Sequence, residues 1–381
     1  MKKIFYPLLY CLTAFITVTG QNLIIKGEIT DSDTVMLLLR SIDKCDTTYT
    51  NNGKFIFKRY IKSPEHFTMA CIKSKQSIDA IKEGNESKIR SDDDVVSKEL
   101  FLERGEVIIN TSFSSFSNTK VVSAKHAMQD KYDEFKKRFN PLVKMARTII
   151  DSSNAHERTG AEKEIFKLLY DRLNHIESEV AEKFSIENAD NAVGAYVLYR
   201  YVKIEDHHKL DSLYNLFDTS LQATAYLKNI KNKIKALSNL KTGQGVPVFT
   251  ATASNGKIIN LLDLRGKYVV LDFWGSWCSP CIGGFPKMKE YYEKFSNKVE
   301  FVGVSCRDKE TEWRNAIKKY DLSWLHILNA NGANDLAVMY NVEAYPTKLL
   351  IDKDGKLIQI FIGESDLFYQ KLDSLFANNK K

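Results

Sequence analysis

The sequence contains few cysteines, and their scarcity is informative. Six are present: Cys11, Cys45, Cys71, Cys278, Cys281 and Cys306. A chain of 381 residues with 44% hydrophobic residues can bury substantial cores, so it does not need disulfides to fold. Two of the cysteines nevertheless form a C-x-x-C motif within DFWGSWCSPCIGGFP, residues 272–286. We therefore expect this pair to have a selective chemical use.

The sequence also lacks a long apolar run after its N-terminal segment. Within residues 1–20, two lysines precede an apolar run from Ile4 to Val18, and small residues follow. This run is short for a spanning helix and predicts a signal peptide cleaved after Gly20. Cys11 follows the bulky Tyr10, where a lipoprotein signal needs a small residue, so lipid attachment is the less favoured interpretation. The mature chain is expected to be exported and not membrane-spanning.

Concentrated positive charge is absent as well. Removing the two N-terminal lysines lowers the formal charge from +7 to +5. The remaining lysines are dispersed among acidic residues, as around KNIKNKIKALSNLK. This pattern is typical of a solvated surface and argues against a nucleic-acid partner.

Three stretches with different hydrophobic periodicity predict a multidomain chain. Residues 21–122 contain short alternating or β-branched runs separated by turn signals, which predicts an N-terminal antiparallel β domain. The polar segment Lys82–Lys98 is expected to be a loop. Residues 123–240 show apolar residues at spacings of three and four, which predicts a central α-helical region. Pro141 should kink or divide the first of these helices. Their apolar stripes favour packing against neighbouring helices over an intermolecular coiled coil.

Residues 241–247 contain glycines and a proline and predict a linker before a last domain at 248–381. Here strand and helix patterns alternate: a hairpin turning at Asn255-Gly256, the buried strand KYVVLDFW, a helix starting near Cys278, and further strands and helices. The arrangement predicts a C-terminal α/β domain of the thioredoxin type, with helices on both faces of a central sheet.

Specific motifs strengthen this interpretation. WCSPC after an apolar strand, followed later by Tyr345-Pro346-Thr347, resembles the thioredoxin superfamily. LRGKYVVLDFWGSWCSPC and LLIDKDGK resemble its exported TlpA-like thiol-disulfide oxidoreductases, over residues 246–378. The β domain and helices resemble an N-terminal region of unknown function that precedes such domains in Gram-negative envelope proteins.

The resemblance implies an enzyme that reduces or isomerises protein disulfides. Its partners would be disulfide-containing protein substrates and an upstream membrane electron donor, and its location the periplasm of a Gram-negative bacterium. The alternative is a partner-binding envelope protein that uses the thioredoxin fold as a scaffold.

The chemistry of the pair points the same way. Only a thiolate attacks a disulfide, and a helix N-terminus stabilises the anion. We expect Cys278, partly exposed beside Trp277 at a helix start, to be the attacking nucleophile. Cys281, one turn later and more buried, would resolve the mixed disulfide. Pro280 fits the first turn, where no backbone donor is needed.

The resemblance also implies a substrate site. In the family, a cis proline lies against the cysteine pair, and the residue before it binds an extended substrate strand through its backbone. Pro346 and Tyr345 hold these positions here, with Trp277 and Thr347 beside them. The alternative is an ordinary trans proline on an edge strand, since cis bonds are about 5% of X-Pro bonds.

The resolving thiol needs a proton acceptor, because burial raises its pKa. Thioredoxin carries a buried Asp six residues before its first cysteine, and Asp272 holds that position here. Many TlpA-like proteins instead carry a Glu three residues after the second cysteine, where this chain has Gly284. We therefore expect Asp272 to be the acceptor, and the glycines to leave room for a substrate.

Other uses of the cysteines are less favoured. Zinc needs four ligands, and the motif has no second pair and no histidine nearby; we expect neither a metal nor a cofactor. A structural bridge closing so short a loop would stabilise little. Cys306 is interpreted as a buried filler rather than a site residue. A bridge between Cys45 and Cys71 is left open.

Overall fold

A computed structural model describes residues 22–32, 34–82, 94–123, 127–154, 159–330 and 335–376. The predicted signal peptide lies outside these residues. The chain divides into two compact units: the described residues up to Lys203 with Ser212–Ile230, and Ile204–Asp211 with the described residues from Lys231 onward. No helix in the described ranges is both long and apolar enough to cross a membrane.

The first unit begins with β-strands. They are β1 (Leu23–Ile29), β2 (Met36–Arg40), β3 (Cys45–Tyr49), β4 (Lys54–Arg59), β5 (Glu65–Ile72), β6 (Val95–Leu102), β7 (Gly105–Thr111) and β8 (Val122–Ser123), with helix α1 (Lys75–Lys82) after β5. Over the described residues, the strands form two four-stranded sheets ordered β4-β1-β7-β8 and β3-β2-β5-β6. Alternating apolar residues of both sheets, such as Ile25 and Phe67, share one core.

Two expectations for this region need correction. The predicted antiparallel β domain contains one parallel pair, because β1 runs beside β7 in the same direction. The predicted loop Lys82–Lys98 ends earlier, since β6 starts at Val95 and pairs with β5. Residues 83–93 of that loop lie outside the described part of the chain.

Helices follow: α2 (Ala127–Asn154), α3 (Gly160–Glu187), α4 (Ala192–Tyr201), α5 (His207–Tyr214) and α6 (Ala225–Asn239). The division between the two units falls within α5 and within α6. Pro141 lies inside α2 without dividing it. The helices are not a compact unit of their own. Tyr132 of α2 and Tyr196 of α4 pack on His66 and Phe101 of the sheet, so strands and helices of this unit share aromatic packing.

The second unit has a thioredoxin-like fold. Its elements are β9 (Thr250–Thr252), β10 (Ile258–Asn260), β11 (Tyr268–Trp274), α7 (Ser279–Phe295), β12 (Val299–Ser305), α8 (Glu310–Lys319), β13 (Leu325–Leu328), α9 (Leu336–Met339), β14 (Thr347–Ile351), β15 (Leu357–Ile362) and α10 (Asp366–Phe376). Strands β9 and β10 form the expected hairpin. The main sheet has the order β13-β12-β11-β14-β15, with β11 at its centre.

The position of β11 follows from its composition. YVVLDFW is apolar nearly throughout because both faces of the strand are covered. Val270 and Trp274 belong to one core, on the side of α7 and α10, whereas Leu271 and Phe273 belong to the core on the other side. The strand ends at Trp274, a few residues before the cysteine pair.

The predicted linker 241–247 is part of the second unit. Gly243 and Val246 donate backbone hydrogen bonds to the carbonyls of Leu357 and Gly355, at 2.7 and 3.0 Å, and the Leu357 N–H donates to Gln244 at 2.9 Å. The Val246 side chain is buried. A domain start at 248 is therefore too late, because this segment pairs with the end of the β14–β15 hairpin.

Candidate active site

Hydrogen bonds to Asp308 hold the loop after β11 in place. Its carboxylate accepts hydrogen bonds from the Ser276 N–H at 2.9 Å, from the Ser276 hydroxyl at 2.6 Å and from the Ser305 hydroxyl. The Trp277 indole donates to the Cys306 carbonyl at 3.0 Å. A Cβ on Gly275 would lie 2.5 Å from that indole nitrogen, so only a glycine leaves room for the Trp277 ring here. The loop therefore presents Trp277 and the first cysteine in a defined geometry.

Cys278 and Cys281 are joined by a disulfide, with Cα atoms 5.3 Å apart. Cys278 is the N-cap of α7, and its Sγ accepts the Cys281 N–H at 3.2 Å. This donor and the positive end of the helix dipole would stabilise a thiolate on Cys278 once the bond is reduced. Pro280 lies in the first turn, as expected.

The expected difference in exposure between the two cysteines is wrong for this state. Both side chains are 3% exposed, and both belong to the core that contains Phe285. The argument for Cys278 as the nucleophile therefore depends on its helix-cap position and not on exposure.

The peptide bond between Tyr345 and Pro346 is cis, as expected. Trp277 and Tyr345 are in edge contact, with ring centroids 5.3 Å apart. The Arg307 guanidinium lies 5.8 Å from the centre of the Trp277 ring and 5.3 Å from that of Tyr345. Trp277 is 38% exposed. An aromatic and cationic surface thus borders the cysteine pair, and the sequence interpretation missed Arg307.

Thr347 differs from the other predicted substrate-binding residues. Its side chain is buried, and its hydroxyl donates to the Ala344 carbonyl at 2.8 Å. The side chain therefore stabilises the loop before β14 and is not free to contact a substrate.

Asp272 lies on the same face of β11 as Val270 and Trp274, since side chains alternate along a strand. That face packs in the core that contains the cysteine pair. Directly across the antiparallel register is Lys348 of β14. The two side chains are 5% and 4% exposed, and the Lys348 Nζ is 3.5 Å from Asp272 Oδ1.

At 3.5 Å this contact is long for a charged hydrogen bond, so Lys348 pairs only weakly with Asp272 Oδ1. Among the described residues, no donor forms a hydrogen bond with the buried Asp272 Oδ1. Burial raises the pKa of Asp272; the Lys348 ammonium only partly offsets this, and the Glu364 carboxylate adds to the rise. Such a carboxylate is poised to accept a proton.

Lys348 has a closer partner in Glu364, which lies between β15 and α10. The Nζ donates to Glu364 Oε2 at 2.9 Å, and the Tyr369 hydroxyl donates to Oε1 at 2.7 Å. Burial opposes the charge of Lys348, but the Asp272 and Glu364 carboxylates outweigh it and raise its pKa. A Cβ on Gly284 would lie 2.5 Å from the Glu364 carboxyl carbon. The room left by Gly284 is therefore occupied by Glu364, and not open to a substrate.

The sequence interpretation missed Lys348 and Glu364. One signal was available: Lys348 is the only charged residue of the strand TKLLI, and a buried lysine needs an anionic partner. Which carboxylate supplies it depends on sheet register and on the course of the chain after β15.

Two free thiols of the described residues lie outside the C-x-x-C pair. Cys306 and Cys71 are free and buried, and burial raises the pKa of each to about 12. Because Cys71 is a free thiol, the bridge to Cys45 left open by the sequence is not formed.

The fold and site together define a class: thioredoxin-like proteins with a C-x-x-C pair at a helix N-terminus and a cis proline before a strand of the central sheet. A family model described as thioredoxin-like matches residues 266–357. A crystal structure described as a DsbE thiol:disulfide interchange protein from Chlorobium tepidum is 27% identical, covers 36% of this chain and 96% of its own, and has a TM-score of 0.34.

Curated relatives narrow the class. A thiol-disulfide oxidoreductase ResA of Bacillus cereus is 39% identical over 126 residues, which cover 33% of this chain and 72% of that protein. ResA of Bacillus subtilis (strain 168) is 34% identical over 126 residues, covering 33% and 69%. The chain belongs to the thioredoxin superfamily, among its TlpA- and ResA-like members. Two thirds of the chain lie outside these matches.

Proposed function

We propose that the protein is an exported thiol-disulfide oxidoreductase that reduces or isomerises protein disulfides through Cys278 and Cys281. The observation that carries this proposal is the Cys278–Cys281 disulfide at the N-terminus of α7, with the Cys281 N–H donating to Cys278 Sγ. The relatives named ResA support the reaction class.

In the first step, the reduced enzyme attacks. The Cys278 thiolate forms a bond to one sulfur of the substrate disulfide, and the substrate S–S bond breaks. The leaving substrate thiolate takes up a proton. One substrate sulfur is then reduced, and the other is held in a mixed disulfide with Cys278.

In the second step, Cys281 resolves the intermediate. Its thiol passes a proton to Asp272, and the thiolate attacks Cys278 Sγ. The bond between Cys278 and the substrate breaks, the enzyme disulfide forms, and the second substrate sulfur leaves as a thiolate, which then takes up a proton. The pair has lost two electrons and the substrate has gained two.

The surface formed by Trp277, Tyr345 and Pro346 would hold the substrate strand. Trp277 supplies exposed apolar area, and the backbone of Tyr345 supplies the strand-pairing groups. Each reduction leaves the pair oxidised, so the proposal includes an upstream membrane electron donor that reduces it again. The periplasm of a Gram-negative bacterium is the proposed location.

Two variants test the proposal. Cys278→Ser should abolish reduction of insulin disulfides, because no thiolate remains to attack. Cys281→Ala should accumulate mixed disulfides with substrate, detectable by mass spectrometry without reductant, because attack survives and resolution does not. Cys71→Ala removes a buried thiol of the first unit and serves as the control, with wild-type turnover expected.

Two other outcomes would contradict this proposal. Normal turnover by Cys281→Ala would assign the resolving role elsewhere. A wild-type pair that does not cycle between reduced and oxidised forms in thiol trapping would favour the scaffold interpretation.

A further inference from the structure

Two carboxylates, Asp272 and Glu364, share the buried Lys348, and they share it unequally. The Lys348 Nζ is 2.9 Å from Glu364 and 3.5 Å from Asp272. Glu364 also accepts the Tyr369 hydroxyl, whereas Asp272 Oδ1 has no hydrogen-bond partner among the described residues. The lysine is therefore held by the carboxylate that is farther along the chain and partly exposed.

We propose that Glu364 is a positioning residue for the resolving step: by holding Lys348, it keeps the ammonium from pairing fully with Asp272 and leaves that carboxylate able to accept the Cys281 proton. This inference rests on the proposed function of the Cys278–Cys281 pair.

The geometry of α7 gives Glu364 its place. Gly284 is three residues after Cys281, so the two positions lie on the same side of the helix. Because Gly284 has no side chain, the Glu364 carboxylate reaches the helix surface there, where a Cβ would be 2.5 Å from the carboxyl carbon. From this point it contacts both Lys348 and Tyr369.

Removing the charge of Glu364 has a definite consequence for Asp272. A lysine that is 4% exposed needs an anionic partner, so with Gln at 364 the ammonium would move toward Asp272. A direct ion pair favours the ionised carboxylate, and loss of the Glu364 charge favours it too. Asp272 would become a weaker base, because its pKa would fall.

Within the described part of the chain, few groups face this carboxylate. They are Lys348 from β14, Glu364 from the loop before α10, and Tyr369 from α10. Cys281 of α7 belongs to the core on which this face of β11 packs. Asp366, at the start of α10, is paired with Lys287 at 2.5 Å on the surface. It offers a matched control, since it is a carboxylate of the same segment that does not bind Lys348.

The experiment separates attack from resolution in one trace. The reduced full-length protein is mixed with an aromatic disulfide whose thiolate product is coloured. Attack by Cys278 releases one coloured thiolate, at a rate that depends on reagent concentration. Attack by Cys281 on the mixed disulfide releases the second, at a rate that does not. Both rates are recorded against pH for wild type, Glu364→Gln, Asp366→Asn, Asp272→Asn and the double variant Asp272→Asn/Glu364→Gln.

We expect Glu364→Gln to slow resolution about tenfold at neutral pH, within the usual range for general-base effects, and to move its pH midpoint to lower values. Its attack rate and far-UV circular dichroism should match wild type. Asp366→Asn should behave as wild type. The double variant should resolve no more slowly than Asp272→Asn, because Glu364 acts through Asp272.

Three results would overturn the proposal. They are an unchanged resolution profile in Glu364→Gln, an equal loss in both phases, and a double variant in which the two defects multiply. Failure of the wild-type protein to release either coloured thiolate is a different result, and it would reject the proposed function itself.

Discussion

Each unit of the protein contains a cluster of carboxylate, lysine and tyrosine side chains, and the pKa of one carboxylate in each cluster is shifted in opposite directions. In the first unit, Glu99 accepts the Lys136 ammonium at 2.6 Å and the Tyr132 hydroxyl at 2.9 Å. Burial opposes its ionisation, but Lys136 and these hydrogen bonds outweigh it and lower the pKa of Glu99. In the second unit, Asp272 lies 3.5 Å from its lysine, and its pKa is raised.

The difference shows how a closely paired carboxylate is distinguished from one that burial leaves weakly paired. Glu99 has close partners and is half-buried, so its charge is satisfied and stabilises the packing of α2 on β6. Asp272 is buried more deeply, and its lysine is held by a second carboxylate. Residue types alone do not separate the two clusters; the distances and the third partner do.

The largest expected effect is on the rate of the resolving step, and it tests the comparison between the two clusters. Asp272→Asn should slow resolution of the Cys278 mixed disulfide on the order of a hundredfold, since general-base groups contribute about 10²–10⁴. Attack should be nearly unchanged. In wild type, the resolution rate should rise as pH increases through the raised pKa of Asp272, because only the ionised carboxylate accepts a proton; the variant should lose this rise. Stopped-flow traces across pH measure both steps.

The matching change in the first unit is Glu99→Gln. It should leave both redox steps at wild-type rates and lower stability by roughly 1 kcal/mol, the usual value of a lost hydrogen bond. A slowed resolution step in Glu99→Gln, or an unchanged one in Asp272→Asn, would remove the distinction between the clusters.

The next prediction separates the two units. A fragment of residues 241–381 should fold and reduce insulin, because it contains the sheet, both core clusters and the cysteine pair. A fragment of residues 248–381 should be less stable by roughly 2–4 kcal/mol, since it lacks three backbone hydrogen bonds and buried Val246. Urea unfolding of the two fragments measures the difference. Equal stability would restore the predicted domain start at 248.

The smallest effect concerns the two glycines of α7. Gly283 has open space around its Cβ position, so Gly283→Ala should stabilise the helix by up to about 1 kcal/mol. In Gly284→Ala, the new methyl group would push the Glu364 carboxyl away from Lys348 and Tyr369, which should reverse the gain and cost about 1 kcal/mol net.

All four tryptophans, Trp274, Trp277, Trp313 and Trp324, lie in the second unit, so their fluorescence reports its unfolding alone. If both alanine variants are stabilised equally in this measurement, a side chain at position 284 does not displace the Glu364 carboxyl.

The features that could be predicted from the sequence are those that depend on local signals. The strand before the cysteine pair, the helix that begins after Cys278 and the hairpin at Asn255-Gly256 each depend on a few adjacent residues, and each was predicted correctly. Asp272 was also expected to be buried, because it lies in an apolar run.

The rest depended on contacts between distant segments. The parallel pairing of β1 with β7 and the pairing of Asp272 with Lys348 are set by sheet register. Glu364 reaches the site only through the turn between β15 and α10. The burial of Cys278 is set by a core whose members come from segments far apart in the sequence.

The space beside Gly284 couples substitutions at positions 284 and 364, which lie far apart in the sequence. While Glu364 fills that space, any larger residue at 284 collides with it. Shortening residue 364 first would free the space but release Lys348 before an acid on the helix could replace it. Neither single change is neutral, so the two positions are expected to change together or not at all. Chains with the acid on the helix and chains with the acid after β15 would then form separate lineages, divided by a less stable or less active intermediate.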